Sequence, residues 1–356
     1  MRINESYFKK NYIVDTTNIE FHDIKKSQEI SVYGLYNYRN EAQFKRLPDE
    51  VAKATGEQVT KLYTNPSGGR IRFKTNSNIL VIRASFPNIS TRSIITMLNQ
   101  AGFDVYKTVS GKQEFIGCLY PPIDLTDSYD KGMELGLGEK EITVYMPIFN
   151  DVSDVYIGLE KGAYIKPSDP YKNEKPILYY GSSITQGASV SRPGMIYESI
   201  ISRVLDTDFI NLGFASGGKA EDAIVDYMAD LDYSVFVSDY DYNAPTPEYL
   251  EATHGKMYEK IRAKHPNVAY IMLTKPIIHH NLKTAENQRR REIIFKTYEN
   301  AIENGDKNVY IIDGFEIFSS FEAGNCSGDS VHPNDIGVAV IAQNIIKIIR
   351  ERNLLK

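Results

Sequence analysis

The spacing of apolar residues changes once along this chain, and that change dictates two kinds of sheet. In the first half the apolar residues alternate. Gly69–Thr75 puts Ile71 and Phe73 on one face and Arg70, Arg72 and Lys74 on the other. The β-branched run Ile79–Phe86 follows, and then Gln113–Leu119, Lys140–Met146 and Val152–Gly158. Turn residues cluster between these runs, as in Asn65-Pro-Ser-Gly-Gly69 and Asn76-Ser77-Asn78. Short period-two strands separated by turn signals predict an antiparallel β-sandwich, here over residues 1–165.

The second half reads differently. Residues 166–176 carry three prolines, which resist helix formation and predict an extended linker. From 177 to 356, short apolar runs alternate with helical stretches. The runs are Ile177–Tyr180, Asp208–Gly213, Ser234–Tyr240, Val268–Leu273 and Val309–Asp313. Helical patterns fall near 195–205, 220–229, 246–265, 285–304 and 335–351. Strands interleaved with helices predict a five-stranded parallel sheet covered on both faces, an α/β domain. In such sheets ligands bind beyond the carboxyl ends of the strands, so chemistry is sought just after each strand.

Composition narrows the classes. The 356 residues suit two domains, with 42% hydrophobic and 24% charged residues. A net charge of −5 gives no electrostatic reason for a nucleic-acid or anionic-membrane partner. No run of about 18 apolar residues is present, so no membrane span is expected. Met1–Asn11 shows no apolar stretch behind its charges, and no signal peptide is visible. The two cysteines, Cys118 and Cys326, lack metal-ligand spacing and read as buried thiols. On these grounds a cytoplasmic protein is expected. There are 25 tyrosines and no tryptophan. Tyrosines can grip sugars, but most here fit as strand formers.

Two segments carry chemistry. After the first parallel strand stands Gly181-Ser-Ser-Ile-Thr-Gln-Gly187. A serine there is either a nucleophile or an ordinary helix N-cap, and the segment alone does not decide. It lacks the Gly-Lys-Thr of a phosphate loop. Near the C-terminus Asp329-Ser-Val-His332-Pro333 lies between the last strand and the last helix. A serine hydroxyl needs a base at neutral pH, imidazole suits that pH, and a carboxylate fixes its tautomer. Of six histidines, His332 alone has both a nearby acid and a strand-end position. His22 lies in the first domain, His254 and His265 within or at the end of a helix, and His279 and His280 have no paired acid.

These two segments resemble the SGNH (GDSL-type) hydrolase superfamily, over roughly Pro176 to Arg350. That family carries its serine in Gly-Asp-Ser after strand one and Asp-x-x-His before the last helix. Gly181-Ser182-Ser183 matches with Ser182 in place of Asp, so the resemblance makes Ser183 the nucleophile, His332 the base and Asp329 its orienting acid. It implies a flavodoxin-like three-layer α/β/α domain. It also implies an oxyanion hole from the backbone of Ser216, after strand two, and from Asn243, after strand three. Ser216 stands where the family has Gly, and Asn243 lacks the flanking Gly and Asp of Gly-x-Asn-Asp. A side-chain donor such as Asn243 is typically worth ~3–4 kcal/mol in the transition state. The segments Ser191-Arg-Pro-Gly194 and Asp239-Tyr-Asp-Tyr-Asn-Ala-Pro245, with Gly34-Leu-Tyr36 upstream, are similar to a two-domain bacterial subgroup. Carbohydrate deacetylases share that layout, with a jelly-roll-like domain first.

Arg192 either lines the substrate pocket or supports its own loop. Asp239 and Asp241 could be paired carboxylates or metal ligands, but the preferred reading is that one of them caps the loop and supports Asn243. The run Arg289-Arg290-Arg291 reads as a solvated helix face with one residue turned inward. No metal and no cofactor is expected. The predicted activity is hydrolysis of small acyl esters, acetyl above all, on a small molecule or an oligosaccharide. The same site would serve an acyltransferase. A non-catalytic carbohydrate-binding protein is the remaining reading, and the full set of Ser183, Asn243, Asp329 and His332 argues against it.

Overall fold

The computed structural model describes residues 16–278, 282–319 and 322–355. Met1–Asn11, His279 and His280 lie outside the described residues. The chain divides into two compact units. One holds the residues up to Arg46, Thr64–Pro170 and Arg192–Gly194; the other holds Leu47–Tyr63, Tyr171–Ser191 and Met195 onward.

The first unit contains strands β1 (Ile19–Asp23), β2 (Ser31–Tyr33), β3 (Arg70–Thr75), β4 (Ile79–Ser85), β5 (Phe103–Val109), β6 (Lys112–Leu119), β7 (Ser128–Glu134), β8 (Lys140–Tyr145), β9 (Asp154–Glu160) and β10 (Ile165–Lys166). They form a four-stranded sheet, β1-β9-β4-β7, and a six-stranded sheet, β10-β3-β8-β5-β6 with β2 on β3. All the pairings are antiparallel. Inward residues of both sheets share one core: Leu80, Ile82 and Ile157 from the first, Ile71, Phe73, Val105 and Ile142 from the second. This is the expected sandwich. The polar face of β3 is not solvated, however. Arg70 and Arg72 are buried, and Arg72 Nη2 lies 2.6 Å from Glu141 on the neighbouring strand.

The second unit is built on β11 (Asn173–Gly181), β12 (Thr207–Gly213), β13 (Val235–Asp239), β14 (Ala269–Leu273) and β15 (Val309–Ile312). All are parallel, in the order β12-β11-β13-β14-β15. That is the flavodoxin-like order, with its topological switch beside β11. The strand interiors are mainly apolar: Ile177, Leu178, Val235, Phe236, Ile271 and Met272 are fully buried. The Asp335–Glu351 helix shows why the flanking segments are helical. Val338, Ile341, Ala342, Ile345 and Ile349 are its buried stripe, at a helical period. Asn334 caps it, its side chain accepting from the Ile336 and Gly337 N–H groups.

Two boundaries differ from the sequence reading. Residues 47–63, expected within the sandwich, form the helices Asp49–Thr55 and Glu57–Leu62 and belong with the second unit. Leu47, Ala52, Val59 and Leu62 enter its core beside Ile224 and Phe214. The expected linker is also shorter, because β11 begins at Asn173. Its pairing with β12 skips from Asn173 to Ile177. Pro176 has no N–H to give the ladder, and the register breaks there.

Candidate active site

The turn that carries Ser183 grows out of β11. Ser182 is the N-cap of the one-turn helix Ser183–Gln186, its side chain accepting from Ile184 N–H at 3.1 Å. Of the two sequence readings, the cap therefore falls on Ser182, and Ser183 is the first helical residue. As the first helical residue, Ser183 has a backbone N–H that the helix itself cannot satisfy. Tight packing requires the neighbouring glycines. A Cβ on Gly181 would stand 2.1 Å from Thr185 Oγ1, and one on Gly213 2.2 Å from Gln186 N. Gly187 ends the turn at φ 106°, in the left-handed region.

The histidine comes on a closed loop. A bridge between Ser327 and Pro333 pins its ends, and Ser330 takes a left-handed conformation at φ 67°. Asp329 organises the interior. Its Oδ1 accepts from Val331 N–H at 3.0 Å and His332 N–H at 2.7 Å, and its Oδ2 lies 2.6 Å from His332 Nδ1. Ser327 Oγ donates to His332 O at 2.7 Å. Burial pushes the Asp329 carboxyl up, but the His332 backbone and ring bonds and the Val331 N–H outweigh it and hold the group below its ordinary value. His332 Nε2 is 2.9 Å from Ser183 Oγ. With Nδ1–H turned to Asp329, Nε2 offers its lone pair to the serine hydroxyl. Ser183, Asp329 and His332 are each partly exposed, while the residues beneath the turn are buried.

Asn243 is nearly buried on the loop after β13. Its side-chain N–H groups point at the carbonyls of Phe214 (2.9 Å), Gly218 (3.2 Å) and Gly217. The amide thus latches the loop after β12. From that loop Ala215 N–H also donates to Gln186 Oε1 at 2.8 Å. Ser216 is exposed at its tip with φ 56°. Arg192 belongs by its contacts with the first unit. Its Nη1 donates to Asp104 Oδ2 at 2.6 Å and Tyr106 OH at 2.8 Å, and its guanidinium lies 3.9 Å from the Phe115 ring centroid.

The supports beneath the site are buried. Arg290 is the inward member of the arginine triplet. Its Nη1 donates to Asp241 O (3.1 Å) and Oδ1 (3.3 Å), and its Nη2 to Ala244 O (3.0 Å), so it braces the chain on both sides of Asn243. Lys275 N–H meets Asp241 Oδ2 at 3.1 Å. Arg289 and Arg291 pair outside with Glu248 and Asp313. Thr185, Tyr197, Asn211, Glu198 and Asp239 form a second network under the Ser183 turn. Sequence reasoning left Tyr197, Asn211 and Glu198 unremarked. The one available signal was a polar residue inside an otherwise apolar strand or helix face. Among the described residues no group of His, Cys, Asp or Glu is placed to hold a metal ion, and no helix is long and apolar enough to cross a membrane.

Residues 174–350 match the model of the GDSL-like lipase/acylhydrolase family. The chain belongs to that family. Residues 19–165 match the GxDLY model, the N-terminal part of SGNH-hydrolase-type esterases, so the protein is a two-part SGNH carboxylic ester hydrolase. Among solved structures it is similar to one described as a GDSL-like lipase from Bacteroides ovatus, at 28% identity and TM-score 0.84, over 95% of this chain and 99% of that one. The salicylyl-acyltransferase SsfX3 of a tetracycline biosynthetic pathway shares the fold at 18% identity and TM-score 0.77, over 95% and 99%. So does a family two carbohydrate esterase from Clostridium thermocellum, at 11% identity and TM-score 0.66, over 92% and 99%. Among curated proteins none matches the sequence.

Proposed function

We propose that this SGNH hydrolase removes small acyl groups, acetyl in particular, from carbohydrate esters, with Ser183 as nucleophile. The observation that carries the reading is the continuous chain from Ser183 Oγ through His332 to Asp329, at 2.9 and 2.6 Å. His332 Nε2 takes the hydroxyl proton as Ser183 Oγ attacks the acyl carbonyl. Asp329 holds the ring and balances the imidazolium. His332 then gives the proton to the leaving alcohol, and water, deprotonated by the same nitrogen, releases the acid. The oxyanion would lie against the backbone N–H groups of Ser183 and Ser216, with Asn243 as the side-chain donor. Asn243 has two amide hydrogens near three carbonyls, so turning one toward substrate still leaves the loop latched.

The carbohydrate part of the reading is supported by the architecture shared with the family two carbohydrate esterases, one of them solved with cellohexaose. Transfer to another hydroxyl is the second reading, favoured by the full-length likeness to an acyltransferase. Hydrolysis of 4-nitrophenyl acetate, butyrate and octanoate by the parent and by Ser183→Ala tests the first. Acetate should be preferred, and the variant should lose a factor of about 10³ or more. Equal rates in parent and variant would remove Ser183 from the mechanism. Acyl-sugar formation on adding acceptor alcohols, at the expense of free acid, would favour transfer.

A further inference from the structure

Asp239 closes β13, a strand whose other residues are Val235, Phe236, Val237 and Ser238, and it has no solvent exposure. A carboxylate in such a place ordinarily needs a cation or several N–H donors. Asp241, two residues on, has them in Arg290 and the Lys275 N–H. Asp239 does not. Its Oδ2 accepts from Thr185 Oγ1 at 3.3 Å, and its Oδ1 has no hydrogen-bond partner among the described residues. A protonated, neutral side chain costs less in such a place than an unpaired carboxylate, and its Oδ2 still accepts from Thr185. Burial first, and the nearby Asp241 charge second, both push the group well above the ordinary carboxylate range.

Asp239 also touches the nucleophile turn twice. Its backbone carbonyl accepts from Ser182 N–H at 3.0 Å, and its side chain meets Thr185. These contacts lie on either side of Ser183. Thr185 is held further by Tyr197 OH at 3.0 Å and by Asn211 Nδ2, which donates to its carbonyl at 2.6 Å. The missing Cβ of Gly181 leaves room for this fit, since it would stand 2.5 Å from Asp239 O as well.

We infer that Asp239 is a positioning residue that sets the angle and depth of Ser183 through Thr185. The inference rests on the serine-hydrolase reading. Its test is a set of variants, Asp239→Asn, Asp239→Ala, Thr185→Val and the Asp239→Ala/Thr185→Val pair. Each is assayed for kcat and KM with 4-nitrophenyl acetate and for the rate of Ser183 modification by diisopropyl fluorophosphate, per reactive site. Because a small displacement of reacting atoms costs about 10²-fold, Asp239→Ala and Thr185→Val should each lose about that in kcat and in modification rate, with KM nearly unchanged. The pair should be no slower than its slower member, since both act through one contact. Asp239→Asn matches the neutral acid in shape and should recover most of the parent rate. The inference is overturned if Asp239→Asn is as slow as Asp239→Ala, or if Asp239→Ala reacts at the parental rate per site. Should Asp239→Ala fail to fold, Asp239→Asn and Thr185→Val decide: a parental Thr185→Val rate or a crippled Asp239→Asn overturns it. Activity surviving in Ser183→Ala would instead overturn the serine reading itself.

Discussion

Asp329 Oδ2 stands 2.6 Å from His332 Nδ1, and the other oxygen of the same carboxylate accepts the backbone N–H of His332 at 2.7 Å. One side chain thus folds the loop and orients the ring, so its removal should harm both. Asp329→Asn keeps the shape and loses the charge. Its kcat on 4-nitrophenyl acetate should fall by about 10²–10⁴, as for an orienting acid in a serine triad. Stability carries a pH signature with a definite sign. The folded carboxyl is held below its unfolded value, so its stabilisation is full above the unfolded value and fades as pH falls through the folded one. The gap in Tm between parent and Asp329→Asn should therefore narrow below about pH 4. A gap that persists unchanged at pH 3 would contradict the assignment.

His254 gives a second pH test, away from the chemistry. It is buried in the Pro247–Lys264 helix, with Nδ1 3.0 Å from Thr297 Oγ1 and its ring stacked on Tyr240. Burial pushes its imidazole down to about 4. The folded protein keeps it neutral while the unfolded chain binds a proton below about 6.5, so stability is lost as pH falls from there toward 4. The loss over that window is of the order of 3 kcal/mol. Urea unfolding of parent and His254→Gln between pH 7 and pH 4 checks it. The variant should show the smaller slope with pH, whatever its stability at pH 7.

The Asp329–His332 contact was legible because its pattern is local. Asp329 and His332 are three residues apart on one loop. Ser183 follows a strand whose continuous apolar run marks it as buried on both faces. The parallel sheet was legible for the same reason. What escaped depends on tertiary contact. The helices 49–62 have helical spacing, but only Val59 and Leu62 packing beside Phe214 assigns them to the second unit. The three arginines 289–291 look alike in sequence, and burial alone singles out Arg290. The latch made by Asn243 was not legible, since the carbonyls it meets lie 25–29 residues earlier.

Arg290 should prove a stability residue with an activity cost. Both Arg290 and Asp241 are buried, and each is the other's charge partner. Breaking such a pair from one side typically destabilises by about 3–5 kcal/mol, because a buried charge is left behind. Arg290→Met should show that loss in chemical denaturation. Adding Asp241→Asn removes the stranded charge and should restore part of it. If the double variant is as unstable as the sum of the singles, the two residues are not coupled.

Asn243 separates two roles that its geometry combines. As a latch, it satisfies buried carbonyls of the loop after β12. Losing it should destabilise by roughly 1–3 kcal/mol, the penalty for stranded buried acceptors. As an oxyanion donor, it should also matter in the transition state, where one such donor is worth about 10²–10³ in kcat. Asn243→Ala measured well below its own Tm distinguishes them. A latch alone gives a lower Tm with a kcat near that of the parent per reactive serine. A donor gives a fall of about 10²-fold or more in kcat with KM little changed, because the bond strengthens only as charge develops on the oxygen. Asn243→Asp sharpens the comparison: its carboxylate turns acceptor toward both the loop carbonyls and the oxyanion, so it should be worse than alanine on both measures.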